Sequence, residues 1–137
     1  MERRQIRVVG AMLERAPGCY LITQRPPSAS LPLLWEFPGG RVEDGESDAE
    51  ALARELREEM DVEIEFLELA MHTQHTYPRY DIDFRVYRCK LAGTSSEIHH
   101  RRVHDHRWVT LDQMSDYRFP DADARTLEKL LGLDRER

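Results

Sequence analysis

The segment Ser47–Met60 constrains this chain more than any other part of it. Ser47 with Glu50 three residues later is a capping box, the reciprocal side-chain and backbone pairing that starts a helix. Asp48 adds negative charge to the first turn, where the helix dipole favours it. Ala49, Leu52, Ala53, Leu56 and Met60 recur at the spacing of one buried stripe. The segment is therefore expected to be a helix lying on something apolar. Glu55, Glu58 and Glu59 occupy its last two turns at i, i+3 and i+4, so they share a face. Such placement is unfavourable by itself. Like charges at this spacing repel by a few tenths of a kcal/mol, and anions near a helix C-terminus oppose the dipole. A charged helix face is ordinarily just solvated. Three acids beside the glycine pair Gly39-Gly40, which permits close backbone approach, also suit a hard cation such as Mg²⁺.

The flanks read as strands. Ile6–Leu13 and Cys19–Gln24 are rich in β-branched and apolar residues, and Ala16-Pro17-Gly18 is turn material between them. Pro26–Pro32 is a loop, and Trp35–Pro38 is a short apolar piece ending at the glycine pair, with Trp35 and Phe37 expected in the core. Further strands are expected within Val62–His75, Ile82–Leu91 and Arg107–Thr110, with a polar, histidine-rich loop at Gly93–Asp105. Asp121–Leu131 reads as a C-terminal helix. Strands before and after a central helix give an α/β domain with a mixed sheet, and 137 residues suit one domain, residues 1–137.

The formal net charge is −6, which argues against duplex nucleic acid as the main partner. No apolar run approaches the ~20 residues of a spanning helix, and no apolar signal region follows Met1-Glu2-Arg3-Arg4. A cytoplasmic, reducing setting is expected, with Cys19 and Cys89 as inert core thiols.

Gly40, Glu46 and Arg54-Glu55-Leu56-Arg57-Glu58-Glu59-Met60-Asp61-Val62 together resemble the Nudix box. One position departs, since the family usually has glycine where Asp61 stands. Asp tolerates left-handed backbone angles, so the helix end can survive the change. Trp35-Glu36-Phe37-Pro38-Gly39-Gly40, Gln24-Arg25, Tyr77-Pro78 and Phe119-Pro120-Asp121-Ala122-Asp123 extend the resemblance to the MutT-like branch.

The resemblance implies the Nudix fold, a mixed sheet sandwiched between helices (α/β/α), and an Mg²⁺- or Mn²⁺-dependent pyrophosphohydrolase. Glu55, Glu58 and Glu59 would bind the cation with the Gly39 carbonyl. Glu55 would act as base or water-orienter, and Arg54 would orient the glutamates. Glu46 would support either the metal shell or the loop–helix junction. Arg25 would contact phosphate and Tyr77 would stack on the base, with Glu36, Phe119 and Asp123 as further substrate contacts. The branch often has another metal-shell glutamate shortly before the tryptophan that is Trp108 here. This chain has Arg102 and Val103 there, which leaves Asp105 or Glu97 as substitutes.

The expected reaction converts a nucleoside triphosphate to a monophosphate and pyrophosphate. The alternatives are an RNA 5′-end pyrophosphohydrolase, a nucleoside diphosphate-X hydrolase, or a non-catalytic binding module. Asp123 replaces the asparagine of 8-oxo-dGTP hydrolases. An ionised carboxylate only accepts hydrogen bonds, so it suits the amino group of cytosine and resembles the branch acting on CTP; a protonated Asp123 could still read oxidised guanine, and the alternative is that Asp123 only caps the C-terminal helix. A monomer or homodimer is expected. His99, His100, His104 and His106 do not have the spacing of a structural zinc site, so none is expected there.

Overall fold

The computed structural model describes residues 4–93 and 97–120. The expected C-terminal helix and Asp123 lie outside these residues. Seven strands form one mixed sheet among the described residues: β1 (Arg4–Ala16), β2 (Cys19–Gln24), β3 (Trp35–Glu36), β4 (Gly39–Arg41), β5 (Ile64–Thr76), β6 (Tyr80–Leu91) and β7 (Asp105–Val109). The order is β3-β2-β1-β6-β5, with β4 also on β1 and β7 also on β2.

β1 organises the sheet because both of its edges are used. One edge runs parallel to β6 from Arg4–Tyr80 to Glu14–Lys90. The other takes β4 antiparallel at Val8–Gly10 and β2 antiparallel at Glu14–Ala16. Gly18, at φ 76°, makes the tight return into β2. β5 lies at the edge, and its second half is exposed, Leu69 and Met71 included.

Helix α1 (Asp48–Met60) crosses one face. Ala51, Leu52, Leu56 and Met60 pack on Val9, Ala11, Leu13, Leu21, Tyr87 and Cys89. The buried alanine is Ala51, whereas the helical spacing predicts Ala49 and Ala53, both of which are only half-buried. The contact thus rotates toward the row Ala51, Glu55, Glu59, and two glutamates are carried partly beneath the helix. On the other face are two apolar clusters, one around Ile6, Val8, Tyr77 and Ile82, the other around Ile22, Trp35 and Val109. Cys89 is buried, and burial pushes its thiol up to about 11. Cys19 is only half-buried, because it opens β2 beside the turn. No helix of the described residues is long and apolar enough to cross a membrane.

Candidate active site

The site lies where the last turns of α1 meet β4. The helix begins as its capping box requires, with Ser47 accepting from the Glu50 amide and Glu50 accepting from the Ser47 amide. It ends at Asp61, which takes the left-handed conformation at φ 57° and donates its amide to the Arg57 carbonyl. Chain from far downstream then closes the helix end. The His99 amide donates to the Met60 carbonyl, and the Arg101 and Arg102 amides both donate to the Glu59 carbonyl. These bonds satisfy carbonyls that a helix terminus leaves unpaired.

Gly39 has to be glycine here, and Gly40 lies directly under the flexible end of Glu55. A Cβ on Gly39 would lie 2.0 Å from the Val9 carbonyl oxygen, and one on Gly40 would lie 2.5 Å from the Glu55 carboxyl carbon. Without side chains, the strand lets Glu55 and Glu59 come down onto its backbone. The Gly39 amide donates to Glu59 Oε1 at 3.2 Å. Among the described residues, Glu59 Oε2 is buried with no hydrogen-bond partner. Burial raises the Glu59 carboxyl well above the usual glutamate range, and the charges of Glu55 and Glu36 push it the same way. Burial also raises Glu55, and the Arg54 guanidinium opposes that rise.

Arg54 ties the glutamates together. Its Nε and Nη2 meet both oxygens of Glu46 at 2.8 and 2.9 Å, and Nη2 also donates to the Arg41 carbonyl. Its Nη1 reaches Glu55 at 3.0 Å and Glu58 at 3.5 Å. The bidentate grip, together with the Glu43 amide, holds the Glu46 carboxyl down to about 2. Of the two roles open to Glu46, the geometry favours the loop–helix junction.

A buried Glu59 oxygen without a donor among the described residues, the neighbouring Glu55 and Glu58 bridged by Arg54, and a glycine floor offer hard oxygen ligands. That chemistry fits Mg²⁺ or Mn²⁺.

The fold and the sequence agree with known proteins. Residues 8–129 match the NUDIX domain family. The chain belongs to the Nudix hydrolase family. It is 33% identical over 134 residues to the CTP pyrophosphohydrolase of Escherichia coli K12, covering 95% of this chain and 94% of that one. It is 30% identical over 131 residues to the 8-oxo-dGTP diphosphatase of Haemophilus influenzae, covering 96% and 95%. The solution structure of the E. coli ORF135 protein superposes with a TM-score of 0.73 at 30% identity, over 98% of this chain and 94% of the other.

Within this Nudix fold, the expected site residues divide. Gly39, Arg54, Glu55, Glu58 and Glu59 come together. Glu36 joins them from β3, close enough for its charge to act on Glu59. Neither proposed substitute for the fourth acid does so. Asp105 accepts from the His106 amide and from Arg107, and Glu97 projects into solvent near His99. Glu36 is the neighbouring carboxylate instead, brought in by its pairing with Thr23 across the β2–β3 hairpin. Arg102, one of the two residues noted near where the resemblance expects a further glutamate, donates to Glu58 at 3.3 Å.

Two expected substrate contacts have close partners in the fold. Arg25 directs Nη1 to both oxygens of Glu36 at 3.3 Å, and Nε and Nη2 to Ser30. Most of its donors are engaged by Glu36 and Ser30. Tyr77 is buried against Ile6, Val8 and Ile82 and packs on Tyr80, with ring centroids 5.1 Å apart. The ring is thus largely covered. Phe119 is half-buried and tilted against Phe37, centroids 6.3 Å apart, beside Trp35 and Tyr117. It lines the face opposite α1.

Proposed function

We propose that this Nudix hydrolase is a nucleoside triphosphate pyrophosphohydrolase that uses Mg²⁺ or Mn²⁺ and prefers cytosine nucleotides. The observation that supports the metal is the unpartnered, buried Glu59 Oε2 between Glu55 and Glu36. Glu55, Glu58 and Glu59 would hold the cation. Bound there, it would offset phosphate charge and lower the pKa of a coordinated water. Glu55, its carboxyl raised by burial and beside Glu58, is the carboxylate we assign to accept the proton. Arg54 keeps Glu55 and Glu58 turned toward each other. Water adds across the α–β anhydride, and the products are a nucleoside monophosphate and pyrophosphate.

The cytosine preference rests on Asp123 as an acceptor-only side chain and on the similarity to a CTP pyrophosphohydrolase. A second reading, hydrolysis of oxidised guanine nucleotides, is favoured by the similarity to 8-oxo-dGTP diphosphatases. Turnover of CTP, dCTP and 8-oxo-dGTP by the wild type and by Asp123→Asn separates the two. The cytosine reading expects CTP or dCTP to lead, and the variant to shift selectivity toward 8-oxo-dGTP by about tenfold, the effect of one lost buried partner. An unchanged ratio removes Asp123 from base reading. Undiminished turnover in excess EDTA would overturn the metal.

A further inference from the structure

A second group of ligands lies outside the glutamate cluster. His100 Nε2 and His106 Nδ1 are 2.7 Å apart, with the rings edge to face at a 5.0 Å centroid distance. Ligand atoms of His100, Asp105 and His106 all fall within 4.8 Å of one another. Their spacing along the chain matches no standard zinc pattern, and the fold alone assembles them. Asp105 and His106 open β7 and are fixed by pairing with Gln24 and Thr23 of β2. His100 belongs to the loop after β6, whose backbone is fastened on both sides. The flanking amides of His99 and Arg101 bond to the end of α1, and the His104 amide bonds to the Gln24 carbonyl.

We infer that His100, Asp105 and His106 form a second cation site, selective for Zn²⁺ or a similar borderline first-row metal and separate from the glutamate site. Two imidazoles and one carboxylate are the donor set of open zinc sites, and imidazole suits zinc far better than Mg²⁺. A tetrahedral zinc ion with ~2.0–2.1 Å bonds holds two nitrogens about 3.3 Å apart. The present contact must open by roughly half an ångström to admit it. The exposed His100 side chain can supply that movement while the two β7 ligands stay fixed. The proton now shared between the rings moves to the outer nitrogen of its own ring, and both facing nitrogens become donors. The Asp105 carboxylate is already oriented by the His106 amide at 2.8 Å and by Arg107 at 2.6 Å, as outer partners orient metal-bound carboxylates. Each of its oxygens keeps a further lone pair for a metal. Water would complete the coordination.

A cation here would do more than occupy a surface. It would join the loop that bonds to the Glu59 carbonyl to β7, and so fasten the end of the catalytic helix to the sheet. The inference does not depend on the proposed reaction.

Co²⁺ is the probe, because a tetrahedral site gives it strong visible d–d absorption. It is titrated into the purified protein in excess Mg²⁺, which occupies the glutamates. The expected result is one Co²⁺ per chain with tetrahedral bands, displaced by Zn²⁺, and a melting temperature raised by Zn²⁺. His100→Ala should weaken binding at least tenfold and remove the thermal shift. That variant leaves the fold alone because His100 is exposed. His106→Ala should act likewise, and Glu58→Gln should leave the bands unchanged. Absence of tetrahedral absorption, its persistence in His100→Ala, or its loss in Glu58→Gln overturns the inference.

Discussion

The two ligand clusters of this molecule are built on opposite principles. The glutamates are placed on a helix by local spacing and then buried against a glycine strand. Their mutual repulsion is relieved by Arg54 and, at Glu58, by Arg102, and Glu59 Oε2 is left with no donor among the described residues. The histidines come from a loop and a strand, stay near the surface and bond to each other. The first cluster is costly to assemble without a cation and the second is not. Burial and like charge therefore create demand for a cation, while donor chemistry decides which cation answers it.

The sharpest way to break this contrast is Glu59→Gln. It keeps the shape and the Gly39 contact but removes the buried charge. Turnover should fall by about 10²-fold or more, the usual scale for losing a group directly involved in proton transfer or its metal. A steady-state assay in saturating Mg²⁺ that finds near-normal kcat would show that Glu59 is merely structural.

Glu46→Gln tests whether Arg54 needs its bidentate anchor. The variant should lose about 10- to 100-fold in activity, as second-layer partners of metal ligands do. The loss should appear mainly as weaker Mg²⁺ affinity, since Glu55 and Glu58 would be less firmly oriented. An unchanged Mg²⁺ titration would make the Glu46–Arg54 pair dispensable.

The Glu59 carboxyl has its pKa raised in the folded protein, mainly by burial. In the metal-free protein the native state thus keeps a proton that the unfolded chain gives up. The stability tied to this group is complete below the unfolded value and is lost as pH rises through the raised folded value. Melting temperatures of metal-free protein should therefore decline across that window. Glu59→Gln should flatten the decline, and Mg²⁺ should counter it by favouring the ionised carboxylate. Identical pH profiles for wild type and variant would contradict the burial.

The smallest effect concerns the helix end. Asp61 holds a left-handed conformation that glycine adopts without steric cost, so Asp61→Gly should stabilise the fold by about 0.5–1 kcal/mol. The exposed ion pair with Arg101, 3.0 Å long, offsets little of this. Chemical denaturation would show a lower midpoint if that pair matters more than the backbone.

Much of this organisation was legible in the residues themselves. The capping box and the Leu52, Leu56, Met60 spacing located α1 to within a residue, and the box residues located the acids. β4 was not legible, because a strand of two glycines and an arginine carries no side-chain signature. The neighbours of Arg25 and Tyr77 were not legible, for a shared reason. Their surroundings are set by register between strands, Thr23 opposite Glu36 in one case and Ile82 beside Ile6 in the other. Register is not a property of either segment alone. The His100–His106 contact is likewise created by the chain returning to β2.

The bonds from the Arg101 and Arg102 amides to the Glu59 carbonyl also bear on the order in which the protein assembles. Everything needed to start α1 lies within the helix and its cap, so its first turns can form early. Its last turn is completed by chain some forty residues further along, after the β5–β6 hairpin. Closing a loop of that size has to precede the reward for the contact. Completion of the glutamate-bearing helix end thus depends on long-range closure and not on helix formation alone. On the proposed site, mild denaturant is expected to abolish activity while most helical signal remains, because that end is the one that the rest of the chain must reach.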